Sequence, residues 1–342
     1  MVFATQHNRK INLLKRSSGM PGPDNFEIIE HPDIACGENE ILVRNCWFRV
    51  SISTRLMMSE EAESVKGIPF PPINIGDTLA DAAIGEIVSA PAASGLQPGE
   101  FVLHPFGWRE YAAVDIGLCT RLGNKLINPA AYLGHGWTAY AALTRATQVK
   151  PDDVVFVSSG AGAIGSMAGQ IARKLGAKRV IGSTGTPEKA SWMKRELGYD
   201  EVIIRGDGTI SDQLHRYAPD GIDIFIDIVG GEQLEAAVSH TREGARIVLL
   251  GALSAELADA KSTKYAPVEI DAFAIIVKGI TMRGYSADEN PEVFAEWLSC
   301  LSQPSWADIE FPVTRFKGLE SAPLALKETC SGKARGLVLV EL

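Results

Sequence analysis

Residues 154–176 read VVFVSSGAGAIGSMAGQIARKLG. Val154, Val155, Phe156 and Val157 form an unbroken apolar run, as expected of a strand buried on both faces of a sheet. The chain then passes through Gly160-Ala161-Gly162-Ala163-Ile164-Gly165 into an apolar-periodic segment that ends at Gly176. This is G-x-G-x-x-G in the strand-to-helix setting that gives the pattern its meaning. The first glycines let the backbone turn sharply and approach a pyrophosphate, and the third lets the helix pack close to the strand. A helix N-terminus at that place offers unpaired N–H groups and a partial positive charge to the phosphates. Ser159, Gly160, Gly162, Ala163, Ile164 and Gly165 are therefore candidate dinucleotide ligands, with a Gly/Ala-rich packing loop as the bland alternative.

Outward from this stretch the pattern alternates. Strand-like and helix-like segments follow at 179–183, 190–197, 201–204, 210–217, 222–229, 234–240 and 245–250, which predicts a parallel sheet covered by helices on both faces. An irregular piece, 252–269, leads to an expected strand at 273–282, an expected helix at 291–302 and a final strand-like run at 337–342. Upstream, residues 8–122 show short apolar runs punctuated by Gly, Pro and Asn, the signature of a β-rich domain, and the pattern lengthens to helical over 128–147. The expected domains are 1–125 together with a returning tail, 305–342, and a cofactor domain, 126–304.

Composition sets bounds. The 342 residues are 46% hydrophobic and 22% charged, enough for two globular cores. A formal net charge of −9 argues against nucleic acid or an anionic membrane surface as partner, because phosphate binding needs an excess of Lys and Arg. No window reaches the roughly 18 uninterrupted apolar residues of a membrane span, and the first residues lack the apolar core of a signal peptide. Five widely spaced cysteines, an odd number, fit reduced thiols and a cytoplasmic location.

The second strand of the alternating region ends in Val180-Ile181-Gly182-Ser183-Thr184-Gly185-Thr186, with no carboxylate. NAD-preferring sites place an acid there for the ribose 2′-OH, and an acid would repel a 2′-phosphate. Ser183 and Thr184 instead offer hydroxyl donors beside Gly185, Lys189 follows on the next helix, and Arg205 closes the third strand. These groups favour NADPH over NADH through charge-assisted hydrogen bonds. A solvated helix charge and a loop residue are the structural alternatives for Lys189 and Arg205. The chain has no C-x-x-C, and Cys46, His104 and His135 are isolated in sequence, so no metal is expected. G-x-S-x-G is also absent, which leaves hydride chemistry to the nicotinamide.

Several local runs, in order, resemble the zinc-independent medium-chain dehydrogenase/reductase superfamily. They include Asn25-Phe26-Glu27, Glu40-Ile41-Leu42-Val43-Arg44-Asn45, Gly107-Trp108-Arg109-Glu110-Tyr111, Trp137-Thr138-Ala139-Tyr140, Gly169-Gln170-Ile171-Ala172, Asp227-Ile228-Val229-Gly230-Gly231, Gly251-Ala252-Leu253-Ser254 and Met282-Arg283-Gly284-Tyr285. The chain is most similar to the branch of leukotriene dehydrogenase/prostaglandin reductase, alkenal double-bond reductases and curcumin reductases. That resemblance implies an α/β fold with a GroES-like partly open β-barrel catalytic domain and a Rossmann doubly wound parallel-sheet domain. It also implies a substrate cleft between them, NADP(H), and hydride delivery to the β-carbon of an α,β-unsaturated aldehyde or ketone. It adds Thr138, Val229, Gly230, Gly251 and Ala252 to the cofactor candidates, assigns the 2′-phosphate to Lys189, and suggests a homodimer paired through edge strands.

The same resemblance exposes departures. Relatives carry a D-P-Y-M-R-like run where this chain has Ser51-Ile52-Ser53-Thr54-Arg55, which puts Ser53 at the tyrosine position. A second family tyrosine aligns with Val277, a C-terminal asparagine with Ala334, and the asparagine of N-V-G-G with Ile228. Ser53 and Tyr265 are the catalytic candidates, and Tyr285 and the cofactor ribose hydroxyl are further possible donors; His135 is a candidate to line the cleft or cap a helix. The expected reaction is metal-independent reduction of a conjugated C=C bond in a small hydrophobic carbonyl compound. A carbonyl or quinone reductase, and a non-catalytic NADPH-binding sensor, are the alternatives.

Overall fold

The computed structural model describes residues 8–17, 19–31, 34–60, 62, 71–257 and 266–342, and the chain divides into two compact units. One gathers Met1–Gly134 and Val313–Leu342, the other His135–Ala258 and Ser262–Pro312.

In the first unit, β1 (Asn8–Leu13) and β2 (Phe26–His31) pair antiparallel as a separate ribbon. The chain continues through β3 (Glu40–Arg49), helix α1 (Ser53–Met57), β4 (Ala83–Ser89), β5 (Phe101–His104), β6 (Tyr111–Asp115), β7 (Thr120–Gly123) and α2 (Pro129–Leu133). Strand β3 is the hub, pairing antiparallel with both β4 and β6. Alternation buries Ile41, Val43 and Asn45; a register shift against β4 between Asn45 and Trp47 then brings Phe48 inward as well.

The second unit begins with α3 (Gly136–Ala141), which runs into a π-helical turn, Ala142–Ala146. Strand and helix then alternate: β8 (Val154–Val157), α4 (Gly165–Lys174), β9 (Arg179–Thr184), α5 (Pro187–Glu196), β10 (Glu201–Ile204), α6 (Ile210–Tyr217), β11 (Ile222–Asp227), α7 (Glu232–Ser239) and β12 (Thr241–Leu249). After α8 (Leu253–Glu256) come α9 (Ala272–Lys278), β13 (Thr281–Gly284) and α10 (Val293–Leu301). The six strands form one parallel sheet in the order β10-β9-β8-β11-β12-β13. Chain order reverses between β8 and β11, so the carboxyl ends of these two strands flank the topological switch point, where ligands of such sheets bind. One core lies on each face: Val155, Val157 and Ile171 belong to one, and Phe156, Phe225 and Leu234 to the other. In the latter, Phe156 and Phe225 stack with centroids 4.7 Å apart.

The chain returns to the first unit in β14 (Val313–Lys317), α11 (Ala322–Cys330) and β15 (Leu337–Glu341). Strand β15 joins β14 in parallel to β3 in antiparallel register.

Two expectations need correction. The strand foreseen at 273–282 is mostly helix α9. The Asp271 carboxylate accepts the Phe273 and Ala274 N–H groups as an N-cap, and Gly279, at φ 60°, ends the helix, so only the last few residues reach the sheet edge. The tail returns at Val313 rather than at 305. Ile309 is buried in the second unit's core beside Trp306 and Phe311, and Gln170 holds the Glu310 backbone at both its N–H and its carbonyl.

Candidate cofactor site and reaction residues

Two polar side chains close the apolar runs at the switch point. Ser158, at the end of β8, donates to Asp227 Oδ1 (2.9 Å) and accepts the Ile228 N–H (2.7 Å). The same Oδ1 accepts the N–H groups of Val229 and Gly230, each at 2.9 Å, which ties down the turn after β11. Asp227 is fully buried and its Oδ2 has no partner among the described residues. Burial raises its pKa above the ordinary carboxylate value, against the opposing pull of those hydrogen bonds.

The next residue, Ser159, has φ 52°, a left-handed conformation rare for a side chain other than glycine. Its N–H donates to Ser183 Oγ (3.1 Å), and the Gly160 N–H donates to the Ser183 carbonyl (2.8 Å). Gly165 is required by contact: a Cβ there would lie 2.2 Å from the Ser159 carbonyl oxygen and 2.7 Å from Gly160 Cα. Tyr199, buried, donates from its hydroxyl to the Gly165 carbonyl (2.6 Å) and so fixes the start of α4. The amides of Ala163 and Ile164 have no acceptor among the described residues. A turn with free N–H donors at a helix start is the cradle that a pyrophosphate needs.

Beyond β9 the groups expected at a 2′-phosphate divide. Ser183 is buried and its single proton goes to Gln233 Oε1 (2.5 Å), so its hydroxyl serves the loop and is not the free phosphate donor that the sequence suggests. Thr184 is also buried, and its carbonyl accepts the Arg205 N–H (2.9 Å). The exposed Arg205 guanidinium lies over Gly185, 3.0 Å from where a Cβ would stand, and makes no ion pair among the described residues. Its turn is held by Gln213, which accepts the Ile204 N–H and donates to the carbonyls of Ile204 and Asp207. Lys189 sits in the first turn of α5, its N–H on the capping Thr186 Oγ1. Val229 and Gly230 lie in the turn that Asp227 ties, and the Val229 carbonyl accepts the Ser254 N–H. Gly251 and Ala252 lead into α8, and Thr138 is on α3, half-buried.

Sequence reading missed Ser158, Asp227, Gln213 and Gln233. The first two left a trace, since each is a polar residue ending an apolar strand run; the two glutamines, on helices, left none.

In the first unit, Ser53 opens α1, and its hydroxyl has no partner among the described residues. The preceding turn is rigid. Asp81 takes the Ser51 N–H (3.0 Å) and hydroxyl on Oδ2 and pairs through Oδ1 with Arg49 (2.8 Å), in a largely buried triad. Tyr265 lies outside the described residues. Tyr285, considered as a donor to substrate, is instead buried and donates to Asn290 Oδ1 (2.9 Å). Val277 stands on the outer face of α9, 62% exposed. His135 precedes α3 as its cap residue without a side-chain capping bond. His104 is buried, its Nδ1 accepts the Phe106 N–H, and burial beside Arg109 drops its pKa to about 3, so it stays neutral.

The family model of the zinc-binding dehydrogenases matches residues 163–303, and that of the N-terminal domain of oxidoreductases matches residues 9–122. An NADP-dependent oxidoreductase of Cochliobolus heterostrophus is 32% identical over 317 residues, 86% of each chain. The chain belongs to the medium-chain dehydrogenase/reductase superfamily. Within that superfamily it falls in the alkenal and prostaglandin reductase branch. A 2-alkenal reductase of Nicotiana tabacum is 27% identical across 97% of both chains. The crystal structure of CurA from Vibrio vulnificus in complex with NADPH matches with a TM-score of 0.86 at 29% identity, over 97% of this chain and 98% of that one. This medium-chain dehydrogenase/reductase is an NADP-dependent oxidoreductase with the two-domain fold of its superfamily. The loop is compatible with such a cofactor: among the described residues the amides of Ala163 and Ile164 have no acceptor and the Arg205 guanidinium makes no ion pair. Among the described residues no three His, Cys, Asp or Glu side chains gather into a ligand set.

Proposed function

We propose that the protein reduces the C=C bond of α,β-unsaturated aldehydes or ketones with NADPH. The observation that carries this reading is the match, along 97% of both chains, to a protein named for 2-alkenal reduction. In this proposal Ser159–Gly165 seats the pyrophosphate, with Val229, Gly230, Gly251, Ala252 and Thr138 around the remainder of the dinucleotide, and Arg205 and Lys189 take the 2′-phosphate. NADPH supplies a hydride for the β-carbon, and the π electrons move onto the carbonyl oxygen. The chain must then steady that oxygen and admit a proton to the α-carbon. Ser53 is the hydroxyl assigned to the oxygen, held by the rigid turn that Asp81 organises; Tyr265 is the second candidate.

A second reading, reduction of a carbonyl or quinone, is favoured by Ser53 and Val277, which the sequence resemblance sets at the family's tyrosine positions. Serine is a weaker donor to an enolate than a phenol, and valine is none. Turnover with NADPH of 2-alkenals, enones, quinones and saturated ketones, with products identified by mass and connectivity, separates the two. Saturated carbonyl products support the proposal. Allylic alcohols or hydroquinones, with no C=C reduction, overturn it.

A further inference from the structure

The Ser159–Gly165 turn contains a residue in a conformation it does not favour. Ser159, at φ 52°, is a left-handed serine at the mouth of the glycine loop, and open-chain serine avoids that region. Its N–H is held by Ser183 Oγ and the neighbouring Gly160 N–H by the Ser183 carbonyl, so one residue of β9 fixes the first two amides of the loop. Ser183 in turn is oriented from the opposite helical layer. Its proton goes to Gln233 Oε1 on the first turn of α7, which leaves the hydroxyl lone pairs facing the Ser159 amide. The two side chains of this relay, Ser183 and Gln233, are buried, and the Ser159 whose amide they hold is half-buried in the same unit.

We infer that Ser183 and Gln233 are positioning residues for the dinucleotide, acting by holding Ser159 in its left-handed conformation so that the free amides of the loop converge on the pyrophosphate. The inference rests on the reading of Ser159–Gly165 as the pyrophosphate seat. It assigns Ser183 no contact with the 2′-phosphate, and so no part in choosing between NADPH and NADH. It also places Gln233, from a helix that carries no cofactor signature, in the construction of the site.

The test is equilibrium binding of NADPH and of NADH to the full chain, followed by fluorescence, with thermal denaturation as a check of folding. Ser183→Ala is expected to weaken both dinucleotides roughly tenfold, equivalent to about 1.4 kcal/mol, and to leave their affinity ratio within about twofold of the parent. Gln233→Leu is expected to act in the same direction. Ser159→Gly adopts the left-handed conformation without strain, so adding it to Ser183→Ala is expected to recover most of the lost affinity. That non-additivity is something a general loss of packing would not produce. If Ser183→Ala does not fold, the pair Gln233→Leu and Ser159→Gly/Gln233→Leu carries the same comparison. Selective loss of NADPH with NADH unchanged would overturn the inference in favour of direct phosphate contact, and failure of Ser159→Gly to rescue would overturn it outright. Gly162→Val tests the underlying reading separately: unchanged binding of both dinucleotides in that variant would remove the pyrophosphate seat itself.

Discussion

Three residues carry separable contributions. Ser53 presents a hydroxyl with no partner among the described residues, on a turn tied by Asp81, and the proposed reaction asks it to stabilise charge that exists only as the substrate oxygen becomes negative. Removal of an oxyanion donor costs on the order of 10² to 10³ in rate. Ser53→Ala is therefore expected to lower kcat on an alkenal by about the smaller of these factors without changing NADPH affinity, as single-turnover rates and binding titrations would show. Arg205, over Gly185 and without an ion pair among the described residues, is expected to contribute only where a 2′-phosphate is present. Arg205→Ala should weaken NADPH roughly 10- to 100-fold, the range of a charge-assisted bond, and leave NADH unchanged. A parallel loss for both dinucleotides would take Arg205 out of the 2′-phosphate site. Asp227 belongs to stability. Its folded pKa is raised above the ordinary value of 3.8 by burial, so the folded chain holds its proton more tightly than the unfolded chain does. That contribution is complete below the ordinary value and is lost as pH rises through the folded pKa. Urea unfolding of the parent and of Asp227→Asn across this interval should show the parent losing stability relative to the variant as pH rises.

Elements are where the sequence was most and least informative. The unit from β8 through α4 to β9 was legible because its signals are local: four apolar residues, three glycines at fixed offsets, and a strand end without a carboxylate. The parallel order followed from strand and helix alternating. Helix α9 was not legible, because FAIIVK has the composition of a strand and its helical state rests on the Asp271 and Gly279 caps at either end. Residues 305–312 fall in the second unit, where Ile309 joins a core whose other members are mostly distant in sequence. The role of Ser183 was misread for a similar reason: composition shows a hydroxyl at the strand end, and only the fold shows that Gln233 has taken its proton. Gln213 illustrates the same class of long-range holding. It makes three hydrogen bonds to the turn that carries Arg205, and so fixes the direction of a cation it does not itself touch. Gln213→Leu should lower the NADPH-to-NADH affinity ratio several-fold while affecting NADH little, whereas Gln233→Leu should leave that ratio in place. Titration of both dinucleotides against both variants distinguishes the two glutamines.

At the scale of the whole molecule, the parallel sheet ends at β13, whose outer edge pairs with no strand among the described residues. Just before it in the chain, α9 exposes Phe273, Ile276 and Val277 at 73%, 75% and 62%, three large apolar groups on one short helix. An open strand edge next to such a patch is an invitation to association unless it is covered. A second copy of the same chain satisfies both at once. A two-fold axis at the edge would set β13 against β13 in antiparallel register and pair their N–H and C=O groups. The expected particle is therefore a homodimer, with twice the 36.8 kDa mass of the chain by light scattering. Ile276→Glu places a charge at the centre of the patch, away from the glycine loop. It should yield the monomer mass at micromolar concentration with NADPH affinity retained, since the loop after β8, Ser183 on β9 and Arg205 after β10 are all removed from β13 in the strand order. A parent chain that scatters as a monomer, or an Ile276→Glu variant that keeps the doubled mass, would rule out this edge as the contact.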